Sequence, residues 1–250
     1  MGNLIKKLDR LHEYYKFAKE EHERRVFLRT LNHLLGNLNK TFCRYCFLQV
    51  LENEIPLEAL SDNPIVAKVE SLLKKIENSL KKGAGNLKEN YDVINQLITN
   101  LNEKITKNNA DSFANVSSKI KEMSSLLAEK KKLLSNKAIS KILAVDSKVI
   151  IKAEGLLQEF QLKLRQDTSL QDLKWVNDKI SVLKMLMTDI NETISIERLR
   201  QKLKLSKEES EVINTLISGK SIPLSRLNLP LMNKIKEIFG DMAKISITSD

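Results

Sequence analysis

Glycine and proline are scarce, seven and four among 250 residues. A chain with so few turn-formers and 30% charged residues favours long helices with short connections over an ordinary β fold. Aromatic residues make up only 5%, so a core has to be built mostly from leucine and isoleucine. The two cysteines are not a staple the chain requires, because a chain of this length buries roughly 70 to 75% of its unfolded surface. No apolar run approaches the ~18 to 20 residues needed to cross a bilayer, and the N-terminal residues hold no apolar stretch of signal-peptide type. The expectation is therefore a soluble, cytoplasmic protein. "MGNLIKK" places Gly2 where myristoylation requires it, but Lys6 stands where that motif wants Ser or Thr.

Several chemistries lack their motifs. No serine is framed by GxSxG, and "GAGN" at 83–86 has neither the following lysine nor the preceding strand of a phosphate loop. "FCRYCF" sets Cys43 and Cys46 at zinc-ligand spacing with His33 ten residues upstream, but there is no second cysteine pair, and a tetrahedral site needs a fourth ligand. Two buried reduced thiols are the expectation. His12, His22 and His33 are spaced along one helical region, so they converge only if a second helix or chain brings them together. Glu20, Glu21 and Glu23 sit among Arg24, Arg25 and Arg29, the ordinary charge mix of a solvated helix face. No catalytic residue, cofactor or metal site is assigned, and the chain reads as a non-enzyme.

What is present is apolar spacing. Leu4, Leu8, Leu11, Tyr15 and Ala18 step by three and four, His22 and Arg25 interrupt, and Leu31, Leu34, Leu35 and Leu38 resume in another phase, which suggests one long first helix with a polar middle. Pro64 behind Asn63 opens a second helix carrying Ile65, Val69, Leu72, Ile76 and Leu80, which "GAGN" ends. Leu87, Tyr91, Ile94, Ile98, Leu101 and Ile105 keep the strict steps of a coiled-coil seam, and "KNNADS" at 107–112 reads as its break. From Phe113 the steps run through Val116, Ile120, Met123, Leu127 and Leu134, with Lys130 where an apolar residue was due. A further helix after Asp146 carries Val149, Ala153, Leu156 and Phe160. Thr168 and Gln171 are placed as a capping box for a helix with Leu173, Val176, Ile180, Leu183, Met187, Ile190 and Ile194 in unbroken steps.

These patterns predict an all-α fold: an elongated antiparallel helical bundle or coiled coil over 1–194, followed by a small helix-turn-helix-like module over 195–250. In that module Ile196–Leu203 and Lys207–Ser218 are helices, the second opened by a Ser206/Glu209 capping box and closed at Gly219. The alternating "KISITS" at 244–249 predicts a short terminal strand. A helix-turn-helix that reads DNA inserts its second helix N-terminus first, close to phosphates. Here that end carries Glu208, Glu209 and Glu211 against Lys207 and repels phosphate, so Val212, Ile213, Leu216 and Ile217 are expected simply to pack.

The runs "LSKEESEVINTLISGKSIPLSRL" and "LPLMNKIKEIFGDMAKISITSD" resemble the C-terminal domain of TerB-C-type proteins. Taken in succession they give a capped helix, a spacer holding a small "PLSRL" turn, then a helix ending in "FGD" before a short apolar strand. The resemblance covers about 46 of the 250 residues and contains no catalytic motif, its spacer is shorter than the family's, and the rest of the chain does not resemble that family. In the family the module accompanies ATPases of bacterial stress and defence operons, which implies an accessory role beside a larger partner.

Charge is the remaining signal. Forty-two basic against 32 acidic residues give +10, and by successive fifties the net values are +5, −2, +5, 0 and +2. Within the third fifty, Lys119, Lys121, Lys130, Lys131, Lys132, Lys137 and Lys141 form the candidate polyanion-binding stretch, within 119–148. No aromatic residue occurs between Phe113 and Phe160, so such a stretch holds phosphate without stacking on bases; the alternative is a solvated face. The leading function is a helical scaffold or adaptor that meets protein partners, or a second copy of itself, through its seams. The alternative is a nucleic-acid-binding accessory protein using 119–148, and a membrane-acting or secreted helical effector is a third class.

Overall fold

The computed structural model describes residues 2–17, 22–81, 90–218, 220–239 and 247–248. Most of them lie in helices, as the apolar spacing predicts. In chain order these are α1 (Gly2–Phe17), α2 (His22–Asn53), α3 (Pro64–Lys81), α4 (Tyr91–Ser135), α5 (Lys137–Leu143), α6 (Lys148–Leu164), α7 (Leu170–Thr193), α8 (Ile196–Leu203), α9 (Lys207–Ile217) and α10 (Leu229–Phe239). Single 3-10 turns stand at Leu57–Leu60 and Leu224–Arg226. Two short strands, β1 (Ile222–Pro223) and β2 (Ile247–Thr248), pair in parallel; β2 is the described part of the terminal strand expected at 244–249. The fold is an all-α helical bundle.

The chain forms two compact units, one of Met1–Ile120 with Gln158–Val182 and one of Lys121–Leu157 with Leu183–Asp250. Residues 195–250, expected as a module, thus lie in the second unit together with Lys121–Leu157 and 183–194.

In the first unit, α1 folds back along α2. Asn39 donates to the Asp9 carboxylate, and His12 Nδ1 lies 3.2 Å from the Asn32 carbonyl oxygen. Gly36 permits this approach, since a Cβ there would stand 2.9 Å from the His12 ring. The single long first helix suggested by the spacing is therefore two helices. The change of phase between the two stripes marks the division: Ile5 and Leu8 of α1, and Leu31, Leu35 and Leu38 of α2, are all fully buried.

The second correction is at "KNNADS", which is no break, because α4 runs unbroken through it. Two of the polar residues there, Asn109 and Ser112, face α2. Asn109 donates to the Thr41 carbonyl at 2.9 Å, and Gln49 donates to the buried Ser112 hydroxyl at 2.8 Å. On either side the Thr41 hydroxyl donates to Asn102 Oδ1 at 2.5 Å and Asn115 donates to Glu52 at 2.7 Å. The partners advance together along both helices, so α2 and α4 are parallel, with α3 making the return between them. The three part-buried bonds, from Asn109, Gln49 and Thr41, each satisfy a polar group that the interior would otherwise penalise by about 1–3 kcal/mol.

The start of α7 also differs from the expected one. The capping box is Ser169/Asp172 and not Thr168/Gln171. The Ser169 backbone N–H donates to Asp172 at 2.8 Å, and the Asp172 N–H donates to the Ser169 hydroxyl at 3.3 Å. Two neighbours set this register: Lys163 pairs with Asp172 at 2.5 Å, and Arg44 reaches the Thr168 hydroxyl at 3.4 Å. From there all seven seam residues of α7, Leu173 to Ile194, are buried.

In the second unit α5 packs against α8 and α10, and α8 against α9. Ser195 caps α8 by accepting from Arg198 N–H at 3.0 Å. The turn to α9 passes through Lys204 with φ 49°. Glu54 after α2 and Ala144 after α5 have φ 52° and 54°, so three helix exits of this glycine-poor chain take the left-handed region with side chains that disfavour it. Gly219, expected to close α9, lies outside the described residues, as do "GAGN" and Leu87.

Candidate interaction surfaces

The seven lysines grouped by the sequence are separated by the fold. Lys119 belongs to the first unit, where it pairs with Glu54 and donates to the Glu52 carbonyl oxygen at 3.3 Å. The other six belong to the second. Of these, Lys131 of α4 pairs with Glu154 of α6 at 3.0 Å. Lys121, Lys132, Lys137 and Lys141 are exposed, and Lys130 is half-buried. Two of the seven positive charges are thus met by carboxylates.

The helix-turn-helix of α8 and α9 closes on itself in the same manner. Glu209 accepts from Ser206 N–H at 2.7 Å and from Lys234 of α10 at 2.8 Å. Hydrogen bonds from Lys234 and from the Ser206 backbone hold its carboxyl below the ordinary value. Glu208 and Glu211 are exposed beside it, on the rim of a hollow of about 580 Å³ that also involves Arg226 and Asn228. Val212 and Ile213 are buried, and Leu216 and Ile217 half-buried. Carboxylates at a helix N-terminus repel a phosphate backbone, while the apolar face is covered from within.

Both cysteines are free and buried in α2. Burial, with Asp9 nearby, pushes the Cys43 thiol up to about 12; burial and Cys43 push Cys46 up as well. Cys43 Sγ lies 3.7 Å from Asn39 Oδ1. His33, the third residue of the zinc-like spacing, is exposed and 3.1 Å from Asn37 Nδ2. His12 sits in the α1–α2 contact described above.

Two features escaped the sequence patterns. One is Arg44, on α2. Its guanidinium donates to the Leu164 carbonyl and lies 3.3 Å from that of Lys163 and 3.4 Å from that of Gln166, at the end of α6. It stands 5.8 Å from the Phe47 ring and 5.6 Å from the Phe113 ring, so Phe113, expected in a seam, is 41% exposed and covers an arginine. Beside it Lys163 lies 5.0 Å from the Trp175 ring, which meets Phe160 edge-on at 4.7 Å.

The other is a groove of about 330 Å³ between α3 and α4, within the first unit. It is lined by Lys68, Ser71, Leu72 and Lys75 from α3, and by Leu97, Asn100, Leu101 and Lys104 from α4. Each set is a stripe at i, i+3, i+4, i+7, the spacing of one helix face; that was the available signal, and it gains meaning only when the two helices are adjacent. Large apolar side chains also meet solvent in the second unit: Leu224 is 58%, Leu229 74% and Met232 47% exposed.

Among the described residues, no helix is long and apolar enough to cross a membrane. Comparison with protein-family models, curated proteins and solved structures finds no match to the chain.

Proposed function

We propose that the chain is a non-enzymatic helical scaffold or adaptor that works through protein partners. The observation that carries this reading is the pairing of two trends. Polar side chains in helix middles, such as Arg44, Asn102 and Asn109, bond to other helices, while Leu224, Leu229 and Met232 face solvent. A contiguous exposed apolar patch marks an interaction surface, and these three side chains lie within nine residues of one another in the chain. Light scattering over a concentration range, with co-purification from the cells in which the chain is native, tests it. A complex or self-association that Leu229→Ser with Met232→Ser abolishes, with helicity unchanged, supports the reading. A monomer at all concentrations that co-purifies alone overturns it. The resemblance of the last 46 or so residues to the TerB-C module makes a larger ATPase one partner class to look for.

One observation favours nucleic-acid binding as a second reading: Lys121, Lys132, Lys137 and Lys141 stand exposed. Filter binding across a salt series separates the two readings, because phosphate contacts must weaken steeply as salt rises, while apolar contacts do not.

A further inference from the structure

We infer that the α3–α4 groove is a binding site for a single-chain amphiphilic anion, an alkyl chain bearing a carboxylate or phosphate head. Leu72, Leu97 and Leu101 supply an apolar floor, and Lys68, Lys75 and Lys104 place ammonium groups on both walls. The lining contains three cations and no carboxylate. Lys68 and Lys104 line the same groove, like charges brought together repel unless an anion lies between them, and the neighbouring Lys68 lowers the pKa of Lys104. Three other lysines of the unit do have carboxylate partners: Lys7 with Glu77 at 2.7 Å, Lys74 with Glu70 at 3.4 Å, and Lys119 with Glu54.

Size selects among anions. The groove volume of about 330 Å³ is at the small end of the ligand-pocket range, roughly 300–1,000 Å³. Its length is set by seven residue steps on each helix, about 10 Å at 1.5 Å per residue. A docked helix anchors at i, i+4 and i+7 and would fill the groove's whole length with one heptad while leaving its other turns over exposed polar surface. A free inorganic anion uses the lysines but leaves the leucines wet. An alkyl chain with an anionic head uses both.

The site uses none of the residues on which the adaptor reading rests, so either inference can fail alone. Isothermal titration of the full chain with decanoate, decyl phosphate, decanol and inorganic phosphate, below micellar concentrations, tests it. The expected result is saturable one-to-one binding of decanoate or decyl phosphate, the stronger of the two identifying the head group. Decanol and inorganic phosphate should bind more than about tenfold more weakly. Lys68→Ala with Lys104→Ala should weaken binding by at least about tenfold, with far-ultraviolet circular dichroism unchanged. Leu97→Ser should weaken it separately. As a reporter independent of affinity, the Lys104 ammonium followed by nitrogen-15 NMR should rise in pKa when the groove is filled. Binding of decanol as tight as decanoate, indifference to the double substitution, absence of saturable binding, or displacement of decanoate by an acidic amphipathic helical peptide that binds more tightly would each overturn the inference.

Discussion

Substitution of Arg44 tests how the first unit is held together. The last four carbonyl groups of a helix have no partner within it, and at α6 the guanidinium of Arg44 takes that role from another helix. A hydrogen bond from a charged donor contributes about 1.5–3 kcal/mol. The contacts to Lys163, Gln166 and Thr168 at 3.3–3.4 Å are long and share one side chain with the bond to Leu164, so the set counts as little more than one strong bond. Phe47 and Phe113 at 5.8 and 5.6 Å add about 0.5–1 kcal/mol each. Burial pushes the arginine below its ordinary pKa, an effect that Asp167 partly offsets. Because Arg44 is only half-buried, water recovers part of the loss, and Arg44→Ala should cost about 2–3 kcal/mol.

Two further substitutions separate the causes. Arg44→Met keeps the apolar stem and removes the donors, so it should fall close to the alanine variant if capping dominates. Arg44→Lys keeps the charge near the helix C-terminus but not the planar fork, and should lose about half as much. Guanidinium unfolding followed by the emission of Trp175, the only tryptophan, reads the right place, since that ring contacts Phe160 on α6. An alanine variant within about 0.5 kcal/mol of the parent, or a lysine variant equal to it, would refute the capping account.

Four more outcomes follow from the same geometry. Ser169→Ala should destabilise α7 by about 1 kcal/mol and Thr168→Ala by clearly less; the reverse order in urea unfolding would restore the Thr168/Gln171 cap. Cys43, with its thiol pushed up to about 12, and Cys46 should resist Ellman's reagent at pH 8 in the folded protein and react together in denaturant, because the thiolate is the reactive form; rapid native labelling of either contradicts their burial. Glu209, held below its ordinary value by Lys234 and the Ser206 backbone, contributes stability that is present above the unfolded carboxylate pKa and lost as pH falls through the folded one. Glu209→Gln, which can still cap, should therefore cost up to about 1 kcal/mol at pH 7 with the gap to the parent closing toward pH 3, and a gap constant with pH would count against the Lys234 pair. Ala144→Gly should stabilise the second unit by about 0.5–1 kcal/mol, since φ 54° strains alanine by roughly 1–2 kcal/mol, more than the chain entropy that glycine adds to the unfolded state; a lower thermal midpoint would show that the alanine side chain contributes contacts at that exit.

Apolar spacing carried most of the helices because the information it uses is local. In α7 each step of three or four residues from Leu173 to Ile194 lands on a buried position, and no knowledge of the neighbouring helix is needed to see it. Polar residues are different, since their placement depends on what stands opposite. Asn109 and Ser112 look like helix breakers because asparagine and serine compete for backbone hydrogen bonds at turns and caps. That preference is overridden when Thr41 and Gln49 offer partners across a parallel pair, and only the pairing of α2 with α4 supplies those. Lysines behave in the same way. Lys119 and Lys131 have neighbours of the same type in sequence, yet one meets Glu54, 65 positions before it, and the other Glu154, 23 positions after it.

The groove lysines, too, are gathered only by the fold. Lys68 and Lys75 on α3, and Lys104 on α4, fall in separate parts of the chain, and the fifty residues from 51 to 100 carry a net charge of −2, so no count of charge along the sequence gathers them. Helix packing does, because Leu72 and Leu101 must be buried and each lysine lies three or four residues from one of them on the same helix face. Burying those two leucines against neighbouring helices draws the lysines toward one another. Apolar packing can outweigh this repulsion because exposed like charges in water repel by only about 1 kcal/mol at 4 Å, less than the roughly 1.5–3 kcal/mol gained on burying one leucine. The concentration of positive charge in the groove is thus a consequence of the core, and an anionic head is the ligand that would relieve it.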